Sequence, residues 1–320
     1  MVYLLAVAVA LLITVKPFSA NAQIAAKKPL VVTTTTDLAW AAREILGDAV
    51  EVRSLLTGRE DPHFVDVRPD YVAQVAQADV VCAVGLDLEV GWLPKVLAKA
   101  AQRDLQPGGK GYCDFGSRVD ALDKPEQAVD RSHGDVHPKG NPHYWLAPVI
   151  FAQAARQVID AVERVRPDLK GKFELRYSEF NRMMMGLEAQ LKTRLRSASI
   201  TGGRARFAEY HREFSYFARS FSLEHFGVLE EKPGLPPSAA QLAKVSAQMR
   251  TNKVHLLIAA RTAPPRVLRK FEEISGLTIA VVPVSVSVLP ASDIATYPRL
   301  MEKIIEELIA VSDKNSAKVR

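Results

Sequence analysis

Cysteine is scarce in this chain, with only Cys82 and Cys113 among 320 residues. This scarcity excludes a cysteine-rich zinc module, an iron–sulfur cluster scaffold and a disulfide-dense miniprotein. Any metal site must therefore use histidine and carboxylate side chains. Because each cysteine ends what looks like a strand, a disulfide between neighbouring strands and two separately buried thiols are both open interpretations.

Other absences narrow the class of protein. The sequence contains no short internal repeat, which excludes a solenoid, and no HExxH motif, which is the signature of many zinc hydrolases. Basic residues exceed acidic ones by 42 − 36 = +6, but they are scattered along the chain. We therefore expect no nucleic-acid partner.

The first residues predict a signal peptide over residues 1–22. An apolar run, YLLAVAVALLITV at residues 3–15, precedes the small-residue cleavage motif Ala20-Asn21-Ala22. A transmembrane anchor is the alternative, because the start lacks the usual Lys or Arg, but the run is shorter than the roughly 20 residues that span a bilayer. No cysteine follows the cleavage motif, so we expect an exported protein that is not a lipoprotein.

Apolar runs of strand length alternate with amphipathic helical patterns, which predicts a parallel α/β sheet. A first lobe is expected over residues 29–165, with a long loop at residues 116–142. Its predicted strands are 30–34, 50–56 and 79–84, and its predicted helices are 37–46 (with Asp37 near the N-cap), 68–77, 89–101 and 149–165.

A second α/β lobe is expected over residues 198–311, followed by a tail at residues 312–320. Its predicted strands are 255–260 and 278–284, and its predicted helices are 214–221, 238–251, 265–275 and 297–311. Residues 166–197 carry a pattern typical of one long helix that links the lobes, from Asp168 to about Arg196. The predicted fold is thus α/β, with two lobes of parallel sheet joined by one rigid helix.

Three of the seven histidines occupy similar positions in the sequence. His63 follows Asp61-Pro62, His143 follows Asn141-Pro142, and His211 follows Tyr210, each where a strand or loop gives way to a helix. Ligands of open α/β sheets bind at such ends of strands. Three histidines spread over both lobes therefore indicate a binding site between the lobes, whereas His225 and His255 lie in apolar surroundings typical of structural residues.

At these motifs the sequence resembles the periplasmic zinc and manganese solute-binding proteins of ABC transporters, the ZnuA/TroA-like family. The resemblance rests on the segments VVTTTTDLAWAAREILGD, LTGREDPH, GNPHYWL and EYHREFSYFARSFSL. It implies one metal ion in the cleft between the lobes, held by His63, His143 and His211. It also implies a monomeric periplasmic receptor, not an enzyme, that captures Zn²⁺ and delivers it to an inner-membrane ABC permease.

The donor types favour zinc over manganese. Neutral imidazole suits Zn²⁺, whereas Mn²⁺ sites favour carboxylate oxygen. In manganese members of the family the third histidine position is commonly a carboxylate, and here it is His211.

The sequence departs from the family at two positions. Ser285 falls on or near the usual metal-binding Asp of the second lobe, and Ala147 replaces the Asp of the HYWLDP motif. The fourth ligand is left open among water, Asp293, His133 and His137. The two loop histidines either assist zinc capture or belong to a solvated loop without a role.

Two other functions are compatible with the same residues. A diverged paralogue could act as a periplasmic zinc buffer or adhesin. Three histidines with an open fourth position are also the pattern of a zinc hydrolase, but no motif supplies its general base.

Overall fold

The structure is a computed structural model that describes residues 27–127, 136–198, 205–290 and 292–319. The predicted signal peptide and His133 lie outside these residues. Within them, no helix is both long enough and apolar enough to cross a membrane.

Two four-stranded sheets form the centres of two lobes, and every strand pairing in them is parallel. The first sheet has the order β2-β1-β3-β4 and the second the order β6-β5-β7-β8. The strands are β1 Leu30–Thr33, β2 Glu51–Ser54, β3 Val80–Ala83, β4 Tyr112–Asp114, β5 Arg206–Glu209, β6 Glu224–Val228, β7 Leu256–Ala260 and β8 Ala280–Val282. The prediction of two α/β lobes with parallel sheets is confirmed.

Helices cover both faces of each sheet. They are α1 Thr36–Leu46, α2 Pro69–Gln77, α3 Leu93–Ala100, α4 Pro148–Val165, α5 Glu174–Ser197, α6 Ser215–Phe221, α7 Ala239–Thr251, α8 Pro265–Ser275 and α9 Tyr297–Val319. Several begin with proline, whose fixed φ suits the first turn and whose missing N–H has no partner there to lose.

Alternating side chains along the strands divide the core into three clusters. Val31 and Cys82 face a large cluster, while Val32 and Val81 face a separate one beneath α2 and α3. The second sheet repeats the pattern: Ile258 faces the large cluster and its neighbours face a third cluster beneath α7 and α8. The large cluster contains side chains of both sheets and of α1, α4, α5, α6 and α9, so the two lobes share one core.

The linking helix is shorter than predicted and packs on one side. The chain forms a short turn at Pro167–Leu169, then passes through Gly171 with φ +75°, and α5 begins only at Glu174. A left-handed glycine interrupts helical geometry, which explains the later start. The buried residues of α5 recur every three or four positions, so the helix contributes a stripe to the shared core: Phe180, Met184, Leu187, Leu191 and Leu195.

The last helix is longer than predicted, because α9 continues to Val319 through the residues expected to form a tail. Asn315 in this extension is fully buried. Its Nδ2 donates to the carbonyls of His255 and Thr278 at 2.7 and 2.9 Å, and its Oδ1 accepts from Thr278 N at 2.9 Å. The end of α9 is therefore fixed to the second sheet.

The two cysteines lie opposite each other on neighbouring strands. Cys82 of β3 pairs in register with Cys113 of β4, and both are free and buried. Burial and the hydrogen bond to Cys82 hold the pKa of the Cys113 thiol well above its ordinary value. They are buried thiols, as one interpretation expected, but they adjoin each other.

Candidate metal centre

Three histidines converge where the carboxyl ends of the two sheets meet. His63 lies in the loop after β2, His143 precedes the short turn Tyr144–Leu146 that leads to α4, and His211 follows β5. Their ring centroids are 5.1 Å apart for His63–His143, 5.2 Å for His63–His211 and 5.5 Å for His143–His211. One ring nitrogen from each lies within 4.8 Å of the other two. The structure thus brings the three predicted site residues together from both lobes.

Each ring is oriented by an oxygen at its Nδ1. Nδ1 of His63 lies 2.7 Å from Asp61 Oδ1, Nδ1 of His143 lies 2.9 Å from Asn141 Oδ1, and Nδ1 of His211 lies 2.8 Å from Glu230 Oε2. These oxygens are acceptors, so each Nδ1 carries a proton and Nε2 is the nitrogen left to bind an ion once any second proton has been released. An acceptor behind the ring is the usual support of a metal-binding histidine.

Two of these supports come from one local motif, Asx-Pro-His. Asp61 Oδ1 and Asn141 Oδ1 each also accept the backbone N–H of the histidine two residues later, at 3.0 and 2.9 Å. Asp and Asn readily form such turns to the backbone two residues on. The motif therefore fixes the backbone and the ring of each histidine with a single oxygen atom.

Burial and neighbouring charges act differently on the three rings. Burial, with the other histidines nearby, holds the pKa of His143 well below its ordinary value, so this ring is neutral. Burial also disfavours the charged form of His211, but the hydrogen bond to Glu230 and the charge of Glu213 outweigh it and raise the pKa of His211 to about 9. Burial raises the pKa of Glu213 to about 8. On the side of the second lobe, Glu230 is thus the carboxylate that contacts His211 and favours its charged form.

A cavity of about 170 Å³ opens beside the histidines. Both lobes line it, with Asp61, His63 and Phe64 from the first and Tyr210, His211, Glu213, Glu230 and Thr262 from the second. Its size and polar lining suit a small ion with bound water, not a large organic ligand.

Ser285, on or near the position of the family's Asp, and the candidate fourth ligand Asp293 both lie elsewhere. Ser285 hydrogen-bonds to Asp37, whose Oδ1 also accepts from Val286 N at 2.9 Å. As expected, Asp37 lies near the N-cap of α1, in the first turn after the N-cap residue Thr35, and its side chain also reaches the second lobe. The Asp293 carboxylate is more than half exposed and lies 3.9 Å from Lys303 Nζ.

His137 lies beside the three histidines. Its ring centroid is 5.3 Å from that of His63 and 6.2 Å from that of His143. His225 is one of the two histidines that were expected to be structural. It lies on β6, and its Nε2 is 2.6 Å from Oε1 of Glu209 on the neighbouring strand β5.

Sequence reasoning missed the supporting oxygens. Glu230 has no role in the sequence analysis, because β6, the edge strand before it, is too short and too little apolar to be recognised from sequence. Asp61 and Asn141 stood in the quoted motifs without a role. The replacement of an acidic residue by Ala147 does not leave His143 unsupported, because Asn141 holds its Nδ1.

Residues 31–311 match the family described as ZnuA, zinc-uptake complex component A, periplasmic. The zinc-binding lipoprotein AdcA of Streptococcus pneumoniae is 23% identical over 288 residues, which are 89% of this chain and 56% of AdcA. The chain therefore spans little more than half the length of that relative. The high-affinity zinc uptake system protein ZnuA of Yersinia pestis is 26% identical over 251 residues, 74% of this chain and 77% of that protein.

A solved structure shows the same fold. The manganese-bound form of a variant periplasmic metal binding protein from Candidatus Liberibacter asiaticus has a TM-score of 0.72 at 18% identity, covering 88% of this chain and 99% of that one. At this identity the likeness concerns the two-lobed architecture alone. Because the family match extends over both lobes and the helix between them, this chain belongs to the ZnuA family of periplasmic zinc-uptake components.

Proposed function

We propose that this protein is a periplasmic zinc receptor that binds Zn²⁺ through Nε2 of His63, His143 and His211 and delivers it to an inner-membrane ABC permease. The observation that carries the proposal is the convergence of three rings, each with its Nδ1 against a side-chain oxygen. Such an arrangement presents three preoriented Nε2 atoms to an ion between the lobes.

The donor set favours zinc over manganese. Three imidazoles suit Zn²⁺, which is commonly four-coordinate with nitrogen ligands, whereas Mn²⁺ prefers oxygen. The nearby carboxylates of Asp61 and Glu230 are engaged at the Nδ1 atoms. Relatives named for zinc and a fold relative with bound manganese are both known, so the preference rests on the chemistry of this chain's own residues.

Membership of a solute-binding transport family supports a receptor rather than a hydrolase. We place the mature chain in the periplasm as a monomer without a nucleic-acid partner, released by cleavage after Ala22. AdcA is named a lipoprotein, but no cysteine follows the cleavage motif here, so no lipid anchor is proposed.

Calorimetric zinc titration of the metal-stripped mature chain tests the ligand set. We expect one tight zinc site that a competing excess of manganese does not displace, and severe loss of affinity in His63→Ala, His143→Ala and His211→Ala. His255→Gln is the matched control, because its ring lies away from the cavity. Zinc binding that survives any of the three alanine variants would refute the site.

Delivery to a permease needs a cellular test. In the source cell, deletion of this gene should raise the zinc requirement for growth, and the wild-type gene but not His211→Ala should restore it. A deletion strain with unchanged zinc uptake, despite tight binding in vitro, would indicate a zinc buffer instead.

A further inference from the structure

The loop that carries His137 brings a fourth imidazole to the metal centre. The ring of His137 is as close to His63, at 5.3 Å between centroids, as the three site histidines are to one another. Both of its ring nitrogens are shielded from solvent. His137 and His211 also line one cavity of about 150 Å³ between the loop and the second lobe, so the imidazole faces both lobes.

The position of this loop is fixed at its base. Lys139 Nζ lies 2.8 Å from Asp87 Oδ1, and Gly140 N donates to the carbonyl of His137 at 2.9 Å. Gly140 has φ +106°, and a Cβ at this position would lie 2.7 Å from Cβ of Ala121. Because a side chain is strained there by both conformation and space, glycine is required for the turn that directs His137 inward.

Ser285, on or near the position of the family's Asp, and the candidate ligand Asp293 are engaged elsewhere. Ser285 is bonded to Asp37, and Asp293 lies near Lys303 on an exposed surface. His137 is thus the only one of the named protein candidates in the described residues that adjoins the three rings.

We propose that His137 supplies the fourth ligand, so that Zn²⁺ is held by four imidazoles; this rests on the proposed function of the three-histidine site. His137 lies outside the group of ring nitrogens within 4.8 Å of one another. Its ring therefore turns inward when the ion binds, drawn by the fourth tetrahedral position. Lys139 is a positioning residue that holds the loop for this movement.

Closure by His137 has a consequence for release. A fourth imidazole replaces the water that would otherwise complete the zinc shell, so the ion is enclosed by the protein. The loop must then move away before the ion can leave. The ion pair between Lys139 and Asp87 can open for this movement, because water reaches it from one side. The side chain of Lys139 is 69% exposed, whereas that of Asp87 is 17% exposed.

X-ray absorption spectroscopy of the zinc-loaded mature chain tests the proposal, because it counts the imidazoles around the ion. We expect four imidazoles in the wild type, and three with one oxygen in His137→Ala. Zinc affinity in His137→Ala should fall at least about tenfold. Loss of a residue that only supports a ligand already costs roughly this much, and His137 would be a ligand itself. His133→Ala is the matched control in the same loop and should keep four imidazoles and full affinity.

Lys139→Ala separates positioning from ligation. An exposed ion pair contributes little free energy, so affinity should fall less than in His137→Ala while the imidazole count stays at four. The thermal unfolding of the metal-free variants should match the wild type, which confirms that each one folds.

The outcomes distinguish the two proposals. An unchanged imidazole count in His137→Ala, with zinc binding still lost in His63→Ala, would overturn the role of His137 and leave the receptor intact. A loss of one imidazole in His133→Ala instead would assign the ligand to the other loop histidine. Zinc binding that persists in His63→Ala would refute the three-histidine site itself.

Discussion

At the scale of single residues, the site combines supports of different charge. Asp61 and Glu230 hold their histidines with carboxylates, whereas Asn141 holds His143 with a neutral amide. Two carboxylates in contact with the rings offset the double charge of a zinc ion. The amide leaves His143, the most desolvated ring, free of an additional buried charge.

Removal of one supporting carboxylate should weaken zinc binding without changing the ligands. In Glu230→Ala the His211 ring loses the acceptor at its Nδ1, and affinity should fall by about 10- to 100-fold, as is typical of outer-shell partners. Calorimetry with a competing chelator measures the change. Glu231→Ala, an exposed neighbour, is the control, and equal affinity in both variants would contradict this role of Glu230.

Buried Asp37 should make stability depend on pH. Burial raises its pKa from 3.8 to about 7, against smaller opposing effects of the hydrogen bonds to Val286 and Ser285. The folded state therefore holds this proton more tightly than the unfolded state, and the free energy of unfolding falls as pH rises from about 4 to 7, by at most about 1.4 kcal/mol per pH unit.

Asp37→Asn removes this titration and keeps the acceptor for Val286 N. The stability of Asp37→Asn relative to the wild type should therefore increase between pH 5 and pH 7.5, as measured by urea unfolding at each pH. Asp48→Asn, at an exposed position on the same lobe, should show no such trend. A constant difference across this range would mean that Asp37 is already ionised at pH 5.

The three site histidines could be predicted from the sequence, because the motifs that mark them consist of residues directly next to them in the chain. Asp61-Pro62-His63 and Asn141-Pro142-His143 can be recognised without a structure. Glu230 and Asp37 could not be assigned, because their roles depend on partners 19 and 249 residues away. Such contacts follow from the packing of the lobes and leave no periodic pattern in the chain.

At the scale of elements, strand and helix patterns predicted the α/β order but not all the helix ends. Glycine decides the start of α5, where Gly171 adopts φ +75°. The buried Asn315 fixes the end of α9 to the second sheet. The sequence does not show this, because an asparagine near the end of a helix is typical of an exposed position. Weak edge strands such as β6 lack the apolar run that marks a central strand.

Asn315 should be essential to the stability of the second lobe. Asn315→Ala removes three hydrogen bonds and leaves the backbone groups of Thr278 and His255 without these partners, which should cost about 2–4 kcal/mol. Chemical denaturation measures the loss. Asp313→Ala, two residues earlier on the exposed side of α9, should change stability by less than about 0.5 kcal/mol. Equal stability of the two variants would show that the end of α9 is dispensable.

At the scale of the whole molecule, hydrogen bonds join the lobes on both sides of the shared core. Thr36 Oγ1 donates to the Val286 carbonyl at 2.6 Å, and Trp145 Nε1 donates to the Val284 carbonyl at 2.7 Å. Tyr216 Oη accepts from Leu122 N at 3.0 Å and donates to the Asn141 carbonyl at 2.8 Å. These buried and partly buried bonds restrict rotation of one lobe against the other.

Zinc binding should therefore leave the overall shape almost unchanged. Small-angle X-ray scattering of the metal-free and zinc-loaded chain should give radii of gyration that agree within error, because metal entry needs movement of loops and not closure of a hinge. A clear decrease in the radius on adding zinc would show that the bonds between the lobes break in the metal-free protein.

The shared hydrophobic cluster has a consequence for how the chain matures. Inner-face residues of both sheets, such as Val31 and Ile258, enter the same cluster together with the buried stripe of α5. Neither lobe can complete this cluster alone, so a chain cut between them would expose it to water and aggregate. Under the proposed export, the chain would cross the membrane from its first residue onward, and its first lobe would stay incomplete until the second had crossed. Folding and unfolding should then occur as one cooperative transition of the entire protein.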